Sequence, residues 1–554
     1  MAVATALGLV APVAAAVPPG DPAPITVTPR ALVPRSNNAE PAVELPPTTD
    51  LNPPAGAETL AVTIGSVQID NGFPAMKPAG EAVFAPITGH ETTLAALYAA
   101  ASALEAAYAR AGYILARVVI VPQDLHPGGP FRVVIVDGFV EALDLSALPR
   151  GLHATVSASL APILRRHQLK LADIEQALLL AGDAPGASLR SALAPGQEPG
   201  GTRLVIDGTF RRASAVLGLR NDYAPQLGTY GFSAELVLNS PFGRGESLYG
   251  YVAGGHDISD FLTSDARVRV LGGGLLLRAA HGRVTLNPEI TVSRTRPDPA
   301  PGAPQTIGRL NRYSLRASYA LVRRRDHNAV LSLAAEANNV GNRAPDFGVD
   351  LSHDRYIALR AALALTGSPA RLSSLTLTYS QGLGRFGPPP SKLAPLSRDG
   401  ARADFSRLEA SASMTWPAPG ASTLTVSARG QSSFGQALLR TEQFSLEGEG
   451  AITAYVGGVT AVDEGAILRT ELGTAHAFGA LLVAPYLAAS GGAGRVARPT
   501  SAEPGSIRVG ELGAGLRAQL GKQVSLSAEY GFAFSDFTPL DHVQRLSVSL
   551  GITI

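Results

Sequence analysis

The pattern of apolar and polar positions divides the chain into three textures, and the longest of them, from about 213 to 554, alternates strictly. Between 229 and 238, Tyr230, Phe232, Ala234, Leu236 and Leu238 alternate with Thr229, Gly231, Ser233 and Glu235. Leu408, Ala410, Ala412, Met414 and Trp416 do so with Arg407, Glu409, Ser411, Ser413 and Thr415. The last residues repeat it, with Leu546, Val548, Leu550, Ile552 and Ile554 on one face and Arg545, Ser547, Ser549, Gly551 and Thr553 on the other. A period of two gives each strand one wet and one dry face. The segments run to ~10 residues or more, the length a tilted membrane-spanning strand needs, against ~5–6 for a soluble strand. Glutamates and arginines recur on the polar face, which suits an aqueous interior. The pattern therefore predicts a transmembrane antiparallel barrel in which the dry faces meet lipid.

Sixteen alternating segments are read, from 213–222 to 543–554, an even number as single-chain barrels require. Short links near 280–282, 325–326, 417–420 and 521–522 alternate with long ones at 296–311, 384–401, 434–463 and 493–506. Tight turns then lie at one rim and long loops at the other.

Upstream the texture is mixed. Residues 58–138 predict an αβ unit. A strand at 60–70 is followed by a helix at 91–111 with Leu94, Leu97, Tyr98, Ala101, Leu104 and Tyr108 on one face. Strands at 113–121 and 131–136 complete it. A second αβ unit, 139–212, contains helices expected at 157–168 and 170–181 and a closing strand at 204–206. Residues 17–57 are Pro-rich and aperiodic and read as an extended linker. Residues 1–16 (MAVATALGLVAPVAAA) are apolar and end in a small-x-small pattern, so they read as a secretory signal lacking its basic start.

Composition narrows the chemistry. With no cysteine, disulfide frameworks, thiolate metal sites and cysteine nucleophiles are excluded. A formal net charge of +1 gives no electrostatic reason to expect nucleic acid as a partner. The histidines are dispersed, with no HExxH, no P-loop and no nucleophile elbow, so no catalytic residue, metal or cofactor is expected. Gly272-Gly273-Gly274 and Gly491-Gly492 sit in alternating strands, where close packing explains them. Asp173 and Glu175 fall on a helix face read as solvated. The segment 434–463 (FGQALLRTEQFSLEGEGAITAYVGGVTAVD) stands out because Leu438, Leu439, Phe444, Leu446, Ile452 and Tyr455 have no use in a solvated loop. It is expected to fold back into the lumen.

From 58 onwards these residues resemble the two-partner secretion (TpsB-type) outer-membrane transporters that export haemolysins and filamentous adhesins. Gly112-Tyr113, Pro122-Gln123, Gly128-Gly129 and Asp137-Gly138 are similar to signatures of that family's first POTRA domain. Asp183-x-Pro185-Gly186 with Leu193-x-Pro195-Gly196 is similar to the second. Asn221-Asp222 through Asn239-Ser240-Pro241 and Glu246 resembles the first barrel hairpin, and Phe444 through Gly448 the approach to the lumen loop. The family loop carries Val-Arg-Gly-Tyr or Phe where this chain has Ile452-Thr453-Ala454-Tyr455. The family arginine is thought to pair with an aspartate in a wall Asp-x-Gly motif, and the counterpart is read here at Ala489 and Gly491. With both halves of the pair absent, the loop is expected to be held by apolar and hydrogen-bond contacts.

The resemblance implies an outer-membrane protein with POTRA-like domains at 58–138 and 139–212 in the periplasm. They would capture a secreted TpsA-like exoprotein, which then passes unfolded through the pore. Its other partners would be the outer-membrane lipid, including lipopolysaccharide, and the barrel assembly machinery. An assembly or insertion factor of the same superfamily, a passive porin and a barrel enzyme are the alternatives. An N-terminal plug helix, common in the family, finds no good helical segment in 17–57.

Overall fold

A computed structural model describes residues 43–44 and 51–554 apart from 256, 368–372, 387–394 and 501–502. The expected signal peptide and most of the expected linker lie outside the described residues.

The first unit begins with the strand Ala61–Asp70. The helix Leu94–Arg110 starts where the Thr93 hydroxyl accepts the Ala96 N–H at 3.2 Å and stops at Gly112, whose φ of 96° an L side chain rarely adopts. Leu97, Ala101, Leu104 and Tyr108 are buried on one face against Phe131, Val133 and Ile135. Each fully buried aliphatic side chain contributes about 1.5–3 kcal/mol, so this face is what fixes the unit. The sequence pattern misses a helix, Lys77–Phe84, whose short apolar face is Gly80 and Phe84. It also overextends the strand at 113–121. Only Arg117–Ile120 pairs, because Gly112 turns the chain and Tyr113 packs into the core beside Phe73 and Tyr108.

The second unit corrects the first expected helix. It spans Arg150–Leu160 rather than 157–168, since Pro162, with no N–H to donate, converts the following turn to 3-10 geometry. The second helix, Leu171–Gly182, is close to expectation. The closing strand runs Gly201–Phe210 and pairs with Ala187–Pro195, a strand the pattern did not indicate. Val43–Glu44, from the Pro-rich stretch, adds as a short parallel strand beside Ser191 and Ala192.

From Ala213–Arg220 to Val543–Thr553 a closed antiparallel barrel of sixteen strands follows. The twelfth strand is briefly interrupted at residue 475, between Glu464–Thr474 and His476–Phe478. The last strand pairs with the first from Ser549↔Arg220 to Thr553↔Val216, and Ile554 N–H bonds Ala215 O at 2.9 Å. Asn221 clasps this seam, donating to Leu546 O at 2.7 Å and accepting from Val548 N–H at 2.8 Å. Alternate residues such as Leu331, Leu333, Leu468, Leu472, Leu512 and Leu516 lie exposed on the outer wall, which is the pattern for lipid. Asn328–Ala344 and Val349–Thr366 run on to a link of only four residues, 345–348.

The tight-turn rim sits on the second αβ unit. Arg323 makes a bidentate pair with Asp183 at 2.8 and 2.7 Å, and Arg283 reaches the Gln176 side chain at 2.6 Å. Glu175, expected on a solvated face, pairs with Arg325 of the turn at 324–327 at 3.2 Å. These contacts fix which rim faces the αβ units, and so place the long loops at the opposite rim.

Candidate functional site

The loop 433–463 enters the barrel. Its root is pinned by two buried acids. Glu442 receives Arg360 at 2.8 Å, Arg407 at 3.0 Å and the Tyr356 hydroxyl at 2.7 Å. Asp463 pairs with Arg398 at 2.7 Å and also accepts the Leu438 and Ala497 N–H groups. Further in, the chain reverses at Gly448, φ 102°, where Gly448 N–H bonds Ile452 O at 2.9 Å. Phe444, Leu446, Ala451, Ile452, Ala454 and Tyr455 are buried and pack against Ile467, Ile507, Val509 and Ala533 of the inner wall. The apolar residues that looked misplaced in a loop form this cluster.

The tip meets a polar socket midway along the strand Val524–Ser535. Thr453 Oγ1 donates to Glu511 at 3.0 Å and lies 3.2 Å from Glu529, while Ala454 N–H bonds Glu511 Oε2 at 2.7 Å. Arg469, 2% exposed and rising from Glu464–Thr474, supplies the cation among these acids. It holds Glu529 at 2.7 Å and Glu471 at 2.8 Å, lies 3.6 Å from Glu511, and donates to Ala451 O at 3.2 Å. Ser490 also donates to Ala451 O, at 3.0 Å, and Arg545 and Ser547 both donate to Thr453 O. Room for this is made by Gly531, where an added Cβ would fall 2.7 Å from Glu511 Oε2 and 3.0 Å from Thr453 Oγ1. The loop carries no guanidinium at 453, yet the socket has one, supplied by the wall.

The wall counterpart needs correction. Ala489 and Gly491 alternate with lumen-facing Ala488, Ser490 and Gly492, so both point outward and neither meets the loop. Strand parity decides this, and a one-residue shift moves a side chain to the other face. The carboxylate that receives the loop is Glu511, in Glu511-Leu512-Gly513 on the next strand. Sequence reading missed Arg469, Glu511 and Glu529. No sequence signal sets them apart, because charges such as Glu471 and Arg517 stand on the same inward faces.

The expected POTRA signature residues are structural. Tyr113 is core. Gln123 grips the Arg132 backbone, with both bonds 2.8 Å, while Pro122 precedes it at the end of the short strand. Asp137 accepts Gln168 N–H at 3.0 Å and touches His167, which ties the two αβ units together. Gly138 has no room for a Cβ, which would fall 2.0 Å from Leu115 O. Among the described residues no group of acids and histidines could hold a metal ion.

A closed sixteen-stranded barrel, with an αβ module under one rim and a loop seated in its lumen from the other, is the architecture of an outer-membrane barrel protein with a periplasmic module. The chain belongs to the family described as haemolysin secretion/activation protein ShlB/FhaC/HecB, whose model matches residues 200–518. It is a two-partner secretion transporter of the outer membrane, with its N-terminal domains in the periplasm. A ShlB-type POTRA domain matches residues 62–138. The outer membrane transporter CdiB of Escherichia coli is 23% identical over 426 residues, 76% of this chain and 70% of that protein. The solved structure of Escherichia coli CdiB has a TM-score of 0.73 at 20% identity, covering 92% of this chain and 93% of that one. CdiB from Acinetobacter baumannii has a TM-score of 0.64 at 15% identity, covering 92% and 94%.

Proposed function

We propose that the chain captures an exported TpsA-like polypeptide in the periplasm and passes it unfolded through the barrel, with the loop 433–463 as the gate. Capture uses the two αβ units, 58–138 and 139–212, read as POTRA-like domains. Each leaves a strand at a sheet edge, Arg117–Ile120 in one and Phe139–Asp144 in the other. A client segment added there would gain main-chain hydrogen bonds with little demand on its sequence. The barrel, 213–554, then supplies the path, and Gly448 with Ile452, Thr453, Ala454 and Tyr455 forms the part of the gate that must leave its socket. The observation that carries this reading is the construction of that socket. Beside its apolar packing, the tip is held to the wall by hydrogen bonds from and to Thr453, Ala454 and Ala451, and water and a passing polar backbone can substitute for those bonds.

No step calls for a cofactor or for catalysis by the chain, and the barrel reaches the membrane through the barrel assembly machinery. The paired seam favours passage through the lumen over lateral release into lipid, as an insertion factor would require. The test is export of a co-expressed exoprotein by the intact chain and by a chain lacking 58–207. Loss of export on deletion is expected; undiminished export would overturn the reading.

A further inference from the structure

The outer wall carries a feature that export does not use. Residues 269, 294 and 309 occupy directly opposed positions on three neighbouring strands, Arg269↔Arg294 and Arg294↔Arg309. All three lie on the lipid-facing side, in line with exposed Leu271, Val292 and Tyr313, and at the long-loop end of their strands. The neighbouring acids are already engaged, Asp265 by Arg296 and Asp298 by Arg267. No carboxylate pairs with Arg269, Arg294 or Arg309 among the described residues, and the Arg294 Nε is buried without a hydrogen-bond partner. Like charges placed directly opposite one another on a sheet destabilise it. Three arginines in a row therefore call for an anion.

Directly below the row, towards the membrane interior, lies a shallow apolar cavity of about 550 Å³ on the same wall. It is lined on its outer face by Gly273, Leu275, Ile290, Tyr313, Leu315 and Ile357. The register places it there. Two residues on from the arginine row come Leu271, Val292 and Asn311, and two further come Gly273, Ile290 and Tyr313. The order from rim to midplane is thus cationic, mixed, then apolar with a recess.

We infer that this wall is a docking site for a phosphorylated glycolipid of the outer leaflet, of the lipopolysaccharide type. Its phosphates bind the Arg269–Arg294–Arg309 row and an acyl chain occupies the recess beneath. Arginine presents planar, bidentate donors suited to phosphate oxygens, and a phosphate between two guanidiniums converts their repulsion into attraction. The arrangement matches one ligand with both features at this spacing, and the rim lies opposite the periplasmic units, in the leaflet where such lipids reside. It rests on the outer-membrane orientation but not on export, so its test reads lipid binding alone.

The experiment uses the full chain, purified in mild detergent, delipidated, and titrated with bis-phosphorylated lipid A under native mass spectrometry. Phosphatase-treated lipid A and phosphatidylglycerol form the comparison arms. The variant R269Q/R294Q/R309Q is expected to bind bis-phosphorylated lipid A about tenfold or more weakly than the parent, whereas K522Q, at a tight turn of the other rim, binds as the parent does. The dephosphorylated lipid and phosphatidylglycerol are expected to bind the parent as weakly as the triple variant binds lipid A. Heat-dependent gel migration establishes that the barrel is folded. Should the triple variant not fold, R294Q, which relieves the crowding, carries the test with a loss of about threefold or more. Equal binding by parent and variant would overturn the site. So would equal binding of all three lipids to the parent, which is an ordinary lipid annulus.

Discussion

Arg469 and Glu529 meet inside the barrel with Nη2 2.7 Å from Oε2, their side chains 2% and 7% exposed. The pair belongs wholly to the wall, but it organises the site that receives the loop, because Arg469 also donates to Ala451 O, while Glu529 accepts from the Tyr486 hydroxyl and lies 3.2 Å from Thr453 Oγ1. The loop supplies no guanidinium at 453, and the one that meets the tip's Ala451 carbonyl rises from the facing strand.

Removing that guanidinium should release the loop. Arg469→Ala leaves Glu511 and Glu529 buried beside one another without the guanidinium that contacts both, a change that costs about 3–5 kcal/mol. Part of this falls on the closed state, and each 1.4 kcal/mol is tenfold. In planar bilayers the variant should show spontaneous openings at least about tenfold more often than the parent. An unchanged opening frequency would mean that Arg469 does not hold the loop.

Moving the charge back should be possible only if its present holder leaves. Thr453→Arg places a second guanidinium against Glu511 and Glu529, where Arg469 already sits, and should lower the heat-unfolding midpoint of the folded barrel. Combining T453R with R469A should recover most of that loss, with a coupling of about 2 kcal/mol or more. Additive effects in the double variant would contradict a shared site.

The barrel was legible from the sequence because period-two alternation is imposed by lipid on every strand, and Leu546 through Ile554 or Leu408 through Trp416 carry it without interruption. The loop's entry was legible for a related reason, since Leu446, Ile452 and Tyr455 required burial that a solvated loop cannot supply. The αβ units were less so. The helix Lys77–Phe84 is too short for its period to register, and Arg150–Leu160 was displaced because its apolar face continues past the break at Pro162. The socket was not legible at all. A motif position points to Ala489 as the partner, but inward or outward orientation depends on strand parity, and Glu511 becomes a neighbour of Thr453 only when the barrel closes.

The junction between the αβ module and the barrel should be rigid. Asp183→Asn removes the charge that Arg323 grips with two bonds, a loss of about 1.5–3 kcal/mol for bonds of this kind. Hydrogen exchange should quicken in Leu171–Gly182 and in the turn at 324–327, while the barrel strands stay protected. Exchange unchanged at both places would show that the pair is incidental.

Gly138 should tolerate no side chain. A Cβ would press on the Leu115 carbonyl, a backbone atom that cannot move without disturbing the core beside it. Gly138→Ala should cost the first unit about 2 kcal/mol or more, so that protease removes it while a folded barrel survives. Parent-like resistance of the whole chain would refute the packing described.

The gate itself is tested most directly by single-channel conductance of a chain in which 448–458 is replaced by a short Gly/Ser link. With the tip gone from between Arg469, Glu511 and Arg545, the lumen should open and the conductance should rise several-fold over the parent, in long-lived steps. A conductance equal to the parent's would mean that the loop does not occupy the conducting path, and the barrel would then have to be closed by something else.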